Sequence, residues 1–456
     1  MTEESASHRA SNLWVILLDL AILLGGLAFL YINPRQITGD GQIRFDSLKE
    51  LIERRDLHRG EKSHPNEYSM MGPIVSAPLY VLGKKIESPE WWCVRFNFLI
   101  LLCCLFDLFR VLRPAIDGVT LSRFLLLLAM ATMFPRHQAD YYGEVFTASF
   151  AAVGIALIAL QGSWRGWMLL VIATINTQGT GLGLVLISIA TAWRFRHYRY
   201  LLAPACALAI IMLEAWMRRG NPFLTGYEQV GGRGGIFLPY SDRDWFHHPF
   251  LFGLISVVFS MGKGILWFHP GIILSCTDRN RQNDERVRTL WLLWMLYLAG
   301  VVLLYSKWWC WWGGWFWGPR FFLFAGFPAS LALAFRLGTV KENSTFANLF
   351  LAFALLLSFW VGVNGLVFNQ ANLTIFLEKH TAHEAYMWHV PEFSVLWFPF
   401  VDPKQPLTTI DKATLGYFAF AFLVLSAPVL LELTKRFWRR LAEIAPTKLD
   451  PNQWKF

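Results

Sequence analysis

The sequence has few charged residues for its length. Asp, Glu, Lys and Arg make up 16% of the 456 residues, whereas a typical soluble protein has about 25%. Hydrophobic residues account for 55% of the chain, and its mean hydropathy is +0.39. These proportions exclude a water-soluble enzyme of a few domains and predict a polytopic membrane protein. The 34 Gly and 21 Pro are scattered, which excludes a low-complexity chain.

Cysteine is also scarce and irregularly spaced. Three of the six Cys, at positions 103, 104 and 206, lie inside apolar runs, so neither a disulfide framework nor a zinc motif is predicted. In HEAYMWH, 383–389, the position four residues after His383 is Met387, so the spacing of a zinc protease is missing. The sequence therefore requires no cofactor. A divalent metal is compatible with it but not indicated.

Long hydrophobic runs, in contrast, are abundant. A helix needs about 20 apolar residues to cross the hydrocarbon core, and fewer where it is packed inside a bundle. The sequence therefore predicts an all-α polytopic bundle of about twelve transmembrane helices, with interfacial helices in the outer loops. The predicted spans are 13–31, 94–112, 120–134, 145–161, 166–176, 180–193, 201–217, 264–276, 289–306, 321–338, 345–363 and 410–433.

Arginine-rich short loops predict the orientation. Arginines cluster at 110–123, 194–199 and 279–288 and in the C-terminal tail, and cytoplasmic loops retain Lys and Arg during insertion. Both termini are therefore predicted to be cytoplasmic, and the net charge of +9 is attributed to topology and lipid contact, with no nucleic-acid partner. The longer connections then lie on the outer side: 32–93, 135–144, 218–263, 307–320 and 364–408.

An aspartate follows the first predicted span. In ITGDGQIRF, 37–45, Asp40 lies between two glycines, where the backbone is permissive. Ser47 and Glu50 have the spacing of a capping box, which predicts an interfacial helix beginning at Ser47. A partly desolvated carboxylate at this depth, with a raised proton affinity, could act as a general base. The alternative is that Asp40 is a turn residue or a helix cap.

The next outer connection contributes further candidates. PRHQADYYGEVF, 135–146, places Asp140, Tyr142 and Glu144 just before a span, where acidic residues could bind an acceptor, hold a metal or support a catalytic base. Solvated interfacial charge is the alternative, and it is favoured for any one of them taken singly.

Basic residues in apolar surroundings are candidates for binding an anion such as a lipid phosphate. Lys263 lies between two glycines in SMGKGILWFHP, 260–270, and Arg320 follows a tryptophan cluster in WWCWWGGWFWGPRFF, 308–322. Lys85, Arg44 and Arg233 are further candidates, and snorkelling or surface charge is the alternative for each. The aromatic cluster predicts a platform for a sugar or isoprenoid, made by Trp312, Trp315, Trp317 and Tyr68.

These motifs resemble the GT-C superfamily of integral-membrane glycosyltransferases, which use polyprenyl-phosphate sugar donors. YSMMGPIVSAPLYVLGKK, 68–85, is similar to the Tyr, Gly-Pro, Pro and Leu-Gly pattern of the bacterial dolichyl-phosphate-mannose-transferase-like branch. NPFLTGY at 221–227, SMGKGILWFHP and WGPRFF at 317–322 are similar to later motifs of that branch. A narrower likeness is to bacterial pilin arabinofuranosyltransferases.

The resemblance implies an inverting transfer of a hexose or pentose from a polyprenyl-phosphate carrier to a hydroxyl of a protein, glycan or lipid. It implies that Asp40 is the catalytic base, on the periplasmic side of a bacterial inner membrane. Many relatives have a second carboxylate directly after this acid, where this chain has Gly41, so Glu144 or Asp140 becomes the candidate second acid. Residues 1–363 would form the catalytic module, and 364–456 the last outer loop, final helix and basic tail of one membrane domain.

A transporter or lipid-linked-sugar flippase is the competing interpretation. Transporters tend to place polar groups and broken helices near the bilayer midplane. This chain concentrates charge, Trp and Gly in its outer loops, which favours chemistry at the membrane surface.

Overall fold

The structure, a computed structural model, describes residues 3–55, 67–227, 245–274, 285–368, 370–380, 383–402 and 406–444. Arg233, a candidate from the sequence, lies outside the described residues. Apart from short 3-10 turns and one isolated bridge between Gln36 and Asp140, the regular structure of the described chain is helical.

The described helices are, in chain order, α1 Glu3–Ile32, α2 Asp40–Arg54, α3 Met71–Ile86, α4 Pro89–Cys93, α5 Phe96–Leu112, α6 Gly118–Met130, α7 Phe134–His137, α8 Glu144–Gln161, α9 Trp164–Asn176, α10 Gly181–Phe195, α11 Leu202–Arg219, α12 Phe250–Phe259, α13 Ile265–Phe268, α14 Glu285–Tyr305, α15 Gly326–Gly338, α16 Thr345–Val367, α17 Gln370–Lys379, α18 Tyr386–His389, α19 Phe398–Val401 and α20 Thr409–Ile444.

Eight helical segments of the described chain are long and apolar enough to cross a membrane. They are Asn12–Ile32, Pro89–Leu112, Glu144–Gln161, Tyr198–Arg219, Glu285–Tyr305, Arg320–Gly338, Thr345–Val367 and Thr409–Ala442. The predicted spans 120–134, 166–176 and 180–193 correspond to the shorter helices α6, α9 and α10. The predicted polytopic helical bundle is confirmed, and the chain is an integral membrane protein.

One predicted span is not a continuous helix. Within 264–276, helix α13 stops at Phe268 and a 3-10 turn follows at Pro270–Ile273. Pro270 has no backbone N–H to continue the helical hydrogen bonds, and His269 before it has the non-helical dihedrals φ −139° and ψ 59°. The apolar helix α12 lies instead in the predicted outer loop 218–263.

The interfacial helix begins earlier than predicted. Helix α2 starts at Asp40 rather than at Ser47, whose hydroxyl donates to the carbonyl of Ile43 at 2.7 Å as an ordinary residue within the helix. Its apolar face is buried: Phe45 and Leu48 pack in a cluster that includes Tyr80 and Tyr141. Burial of this face fixes the rotation of α2 about its axis, and therefore the direction in which Asp40 points.

Helices α8 and α9 form a close pair that lies backbone to backbone. A Cβ at Gly154 would lie 2.7 Å from the carbonyl oxygen of Gly166, and a Cβ at Gly166 would lie 2.4 Å from the carbonyl oxygen of Gly154. Small residues at both positions allow this approach, as is common between helices in membranes. The pair supports the cavity, because α8 begins at Glu144 and α9 ends at Asn176.

We expect Gly154→Ala to lower the thermal unfolding temperature of the purified protein. The added methyl group would meet a backbone carbonyl that cannot move aside, and overpacking of this kind costs about 1–3 kcal/mol. Gly416→Ala in α20 is the matched control, because a Cβ there has nothing within 4 Å and the higher helix propensity of Ala is neutral to stabilising. Equal unfolding temperatures for the two variants would contradict the close packing of α8 on α9.

Candidate active site

A cavity of about 300 Å³ lies at the end of the bundle where α2 and α8 begin and α14 ends. Its lining includes Asp40, Arg44, Tyr68, Tyr142, Glu144 and Arg320, all singled out from the sequence. These residues come from four separate stretches of the chain. The remaining lining residues are Glu67, Ser69, Asn176, Thr177, Gln178, Gly179, Thr225, Tyr227, Trp245, Phe246, Leu304, Tyr305, Trp308, Trp309, Cys310 and Phe321.

Asp40 is held at the first position of α2 by the backbone of Gly39. Gly39 has φ 53° and ψ −130°, a conformation that L side chains rarely adopt. A Cβ there would also lie 2.7 Å from the hydroxyl oxygen of Tyr142. The first turn of a helix favours negative charge, so this position suits an ionised carboxylate.

Arg320 connects two carboxylates across the cavity. One guanidinium nitrogen of Arg320 lies 2.5 Å from Oδ2 of Asp40 and 3.4 Å from Oε1 of Glu144. The guanidinium also lies 5.5 Å from the ring centroid of Tyr142. With only 10% of its side chain exposed, Arg320 makes a poorly hydrated ion pair that joins α2, α8 and the turn preceding α15.

Because of this ion pair, the pKa of Asp40 is shifted down, whereas the sequence analysis expected it to be raised. Burial by itself raises the pKa of Asp40, as the sequence predicted. The positive charge of Arg320, with hydrogen bonds from Arg320 and Tyr68, outweighs burial and holds the pKa below its usual value. Asp40 is therefore ionised at neutral pH and can accept a proton.

Arg44 lies one helical turn after Asp40 and has no carboxylate partner among the described residues. Its guanidinium donates to the carbonyl of Ser69 at 3.4 Å and to Oδ1 of Asn176 at 3.5 Å, and it lies 4.9 Å from the ring centroid of Tyr68. Asn176 in turn donates to the carbonyl of Gly143 at 3.0 Å. Arg44 thus offers the cavity a positive charge that makes no ion pair within the described part of the chain.

Glu67 lines the cavity and was not identified from the sequence. Burial, together with the negative charge of Asp40, raises its pKa to about 7, and its Oε2 atom is buried without a hydrogen-bond partner. The adjoining segment is held by α11: Arg218 donates to the carbonyl of Tyr68 at 2.7 Å, and Glu214 accepts from the backbone N–H of Met70 at 2.8 Å. In the sequence, only its position next to Tyr68 pointed to Glu67. The predicted connection 32–93 contains several other acidic residues, so this position did not single it out.

The aromatic wall differs from the predicted one. Trp308 and Trp309 line the cavity, whereas the three predicted tryptophans do not. Trp312 is buried and donates to Oε1 of Glu384 at 2.7 Å, Trp317 is buried and donates to Oδ1 of Asn364 at 3.0 Å, and Trp315 is 48% exposed. The tryptophan cluster of 308–317 therefore has two parts: Trp308 and Trp309 line the cavity, and Trp312 and Trp317 pack behind it.

Three other predicted residues lie away from the cavity. Lys263 is buried behind it, with its ammonium on the backbone carbonyls of Gly314, Phe316 and Gly318. Lys85 is exposed near the end of α3. Asp140 is fully buried and pairs with Arg136 at 3.1 Å. None of the three lines the cavity, so none is placed to meet a substrate bound there.

The described residues of the site do not form a cluster of metal-binding side chains. The described parts of the chain contain no group of three or more His, Cys, Asp or Glu side chains arranged to hold a metal ion.

Comparison with known proteins gives a distant likeness. No protein-family model matches the sequence, and no curated protein matches it. Among solved structures, the chain is similar to ArnT from Cupriavidus metallidurans bound to undecaprenyl phosphate, with 13% identity over 92% of this chain and 77% of that one and a TM-score of 0.46. The apo state of the same protein gives 14% identity over 92% and 78%, with a TM-score of 0.42.

We expect the unfolding temperature of Glu67→Gln to depend less on pH than that of the wild type. Because the folded-state pKa of Glu67 is raised from 4.5 to about 7, its stabilising contribution is complete below the unfolded-state value and is lost as the pH rises through the folded-state value. The Gln variant cannot lose a proton, so the difference between its unfolding temperature and that of the wild type should grow as the pH rises from 5 to about 8.

The matched control for this measurement is Glu87→Gln. Glu87 is exposed at the end of α3, and its variant should follow the wild-type curve. Parallel curves for the wild type and Glu67→Gln would show that Glu67 titrates alike in the folded and unfolded chain.

Proposed function

We propose that this protein is a GT-C-type glycosyltransferase that moves a monosaccharide from a polyprenyl-phosphate carrier to a hydroxyl acceptor. The observation that supports this most directly is the convergence of Asp40, Arg320 and Arg44 on one cavity at the end of an apolar helical bundle. A carboxylate base and two guanidinium groups are what transfer from a phosphate leaving group needs. Trp308 and Trp309 supply apolar faces for a sugar or an isoprenoid.

The donor phosphate binds at Arg44 and Arg320. Arg44 is the stronger candidate for the ground state, because Arg320 is already engaged by Asp40 and Glu144. Guanidinium groups bind phosphate oxygens with two parallel hydrogen bonds, which positions the group as well as neutralising it. Lys263 and Lys85 are not part of this proposed phosphate site, since neither lines the cavity.

In the reaction, the acceptor oxygen attacks the anomeric carbon while its proton passes to Asp40. The bond between that carbon and the phosphate oxygen breaks, and the phosphate leaves with the electron pair from the opposite face. Negative charge grows on the leaving phosphate, so Arg44 and Arg320 stabilise the transition state more than the ground state. As Arg320 turns toward that charge, its ion pair with Asp40 weakens. The pKa of Asp40 then rises, and Asp40 becomes a stronger base.

Glu144 takes the role of the second acid, in preference to Asp140. Its Oε1 lies 3.4 Å from Arg320, and it lines the cavity with Tyr142, whereas Asp140 does not. Glu144 therefore orients Arg320 and can hold an acceptor hydroxyl. From the sequence resemblance, a pentose such as arabinofuranose is the first sugar to test. The arginine-rich short loops at 110–123, 194–199 and 279–288 are typical of cytoplasmic loops, which favours an active site on the outer face of a bacterial inner membrane.

We expect purified protein to transfer label from a radiolabelled polyprenyl-phosphate sugar to an acceptor, and Asp40→Asn to abolish that transfer. The variant keeps the shape of the side chain but cannot accept the proton, which typically costs about 10²-fold to 10⁴-fold in kcat. Donor binding, measured separately, should persist. Near-normal turnover by Asp40→Asn would remove the base assignment.

We expect Arg44→Gln to raise the KM for the donor, because it removes the cation that has no carboxylate partner. Lys412→Met is the matched control: Lys412 is exposed at the start of α20 and is not in the cavity lining. Unchanged donor kinetics in Arg44→Gln would refute its role in phosphate binding. If no labelled lipid-phosphate sugar transfers its label even with the wild type, the proposed function itself fails.

A further inference from the structure

A buried lysine outside the cavity holds the loop that leads to Arg320. Lys263 is 1% exposed, and its ammonium donates to the carbonyls of Gly314 at 3.3 Å, of Phe316, and of Gly318 at 3.2 Å. These bonds use all three ammonium donors. A buried ammonium is costly to desolvate, so its presence here points to a role that a neutral side chain does not fill.

The loop over 313–318 is rich in glycine, and besides Lys263 it is held by Trp317, which donates to Oδ1 of Asn364 at 3.0 Å. Gly313, Gly314 and Gly318 have φ values of 81°, 75° and 67°, and glycine-rich backbone is the most costly to order. The ring of Phe316 lies 4.6 Å from that of Tyr142 and 5.5 Å from the guanidinium carbon of Arg320. The conformation of this loop therefore sets the position of two residues in the cavity wall.

Lys263 is itself fixed by the last outer segment, 383–402. The backbone N–H of Gly262 donates to the carbonyl of Trp388 at 3.1 Å, and the hydroxyl of Ser394 donates to the carbonyl of Met261 at 3.0 Å. Glu384 accepts from Trp312 at 2.7 Å. Burial lowers the pKa of Lys263 and raises that of Glu384.

We propose that Lys263 is a positioning residue: it holds the 313–318 loop in the conformation that brings Arg320 between Asp40 and Glu144, and Glu384 supports the same loop by accepting from Trp312 directly before it. The last outer segment, which does not line the cavity, thereby controls the assembly of the site. The effect on catalysis rests on the proposed function, but the effect on the loop does not.

Hydrogen exchange and kinetics of the full-length protein test this role together. Lys263→Met keeps most of the side chain and removes the three donors. We expect hydrogen exchange of the peptide 308–320 to rise about tenfold and kcat to fall about tenfold, with the donor KM changed less than about threefold. Lys412→Met, which removes an exposed lysine at the start of α20, should change neither.

Glu384→Leu tests the contact with Trp312, because leucine cannot accept the hydrogen bond that Trp312 donates at 2.7 Å. We expect the same changes on a smaller scale, and the double variant should lose less than the sum of the two single variants, because contacts that hold one loop are not additive. If Lys263→Met does not fold, Glu384→Leu decides: increased exchange at 308–320 supports the proposal, and unchanged exchange overturns it.

Two further results would be decisive. Unchanged exchange in Lys263→Met with a raised donor KM would overturn the proposal and indicate direct phosphate binding. Exchange that rises equally in all peptides would overturn it as well, because the lysine would then support only general stability. Exchange is measured without substrate, so a wild-type protein that transfers no sugar would refute the proposed function and leave this test valid.

Discussion

The contact between Arg320 and Asp40 is the interaction on which the candidate site depends. It joins the first outer connection to the tryptophan-rich loop, and through Glu144 it joins both to the start of α8. Because both side chains are largely buried, the carboxylates of Asp40 and Glu144 would resist ionisation without a shared cation. Arg320 supplies that cation, keeps Asp40 ionised and fixes its direction. The positions of Asp40, Glu144 and Arg320 therefore depend on the balance of their charges as well as on their hydrogen bonds.

The scaffold around this contact uses short-range packing at each step. Glycines let α8 and α9 meet backbone to backbone, and Asn176 at the end of α9 donates to Gly143 and accepts from Gly72 at 3.0 Å each. Arg44 completes the junction at the same amide oxygen. A cavity made from separate loops is thus built on helix ends that cannot move independently, which is the condition for preorganised electrostatics.

Several expectations from sequence were wrong for identifiable reasons. A capping-box spacing at Ser47 suggested a helix start, but the helix already begins at Asp40, directly after the positive-φ backbone of Gly39. Lys263 between two glycines looked accessible to an anion. Its flexible neighbours instead allow close backbone approach: a Cβ at Gly262 would lie 1.8 Å from the carbonyl oxygen of Met387. The side chain is enclosed as a result.

The sequence by itself determined the membrane class, the helical architecture and most of the polar candidates, because hydropathy, Gly and Pro act locally and the bilayer forces backbone groups into helices. The sequence also identified Asp40, Glu144 and Arg320 as candidates, but it did not indicate that Arg320 contacts both carboxylates. Only the tertiary structure decided which charges meet, since contacts between residues 40, 144 and 320 depend on how helix ends pack. For the same reason it alone separated Arg44, which faces the cavity, from Lys263, and Trp308 and Trp309 from the tryptophans packed behind them.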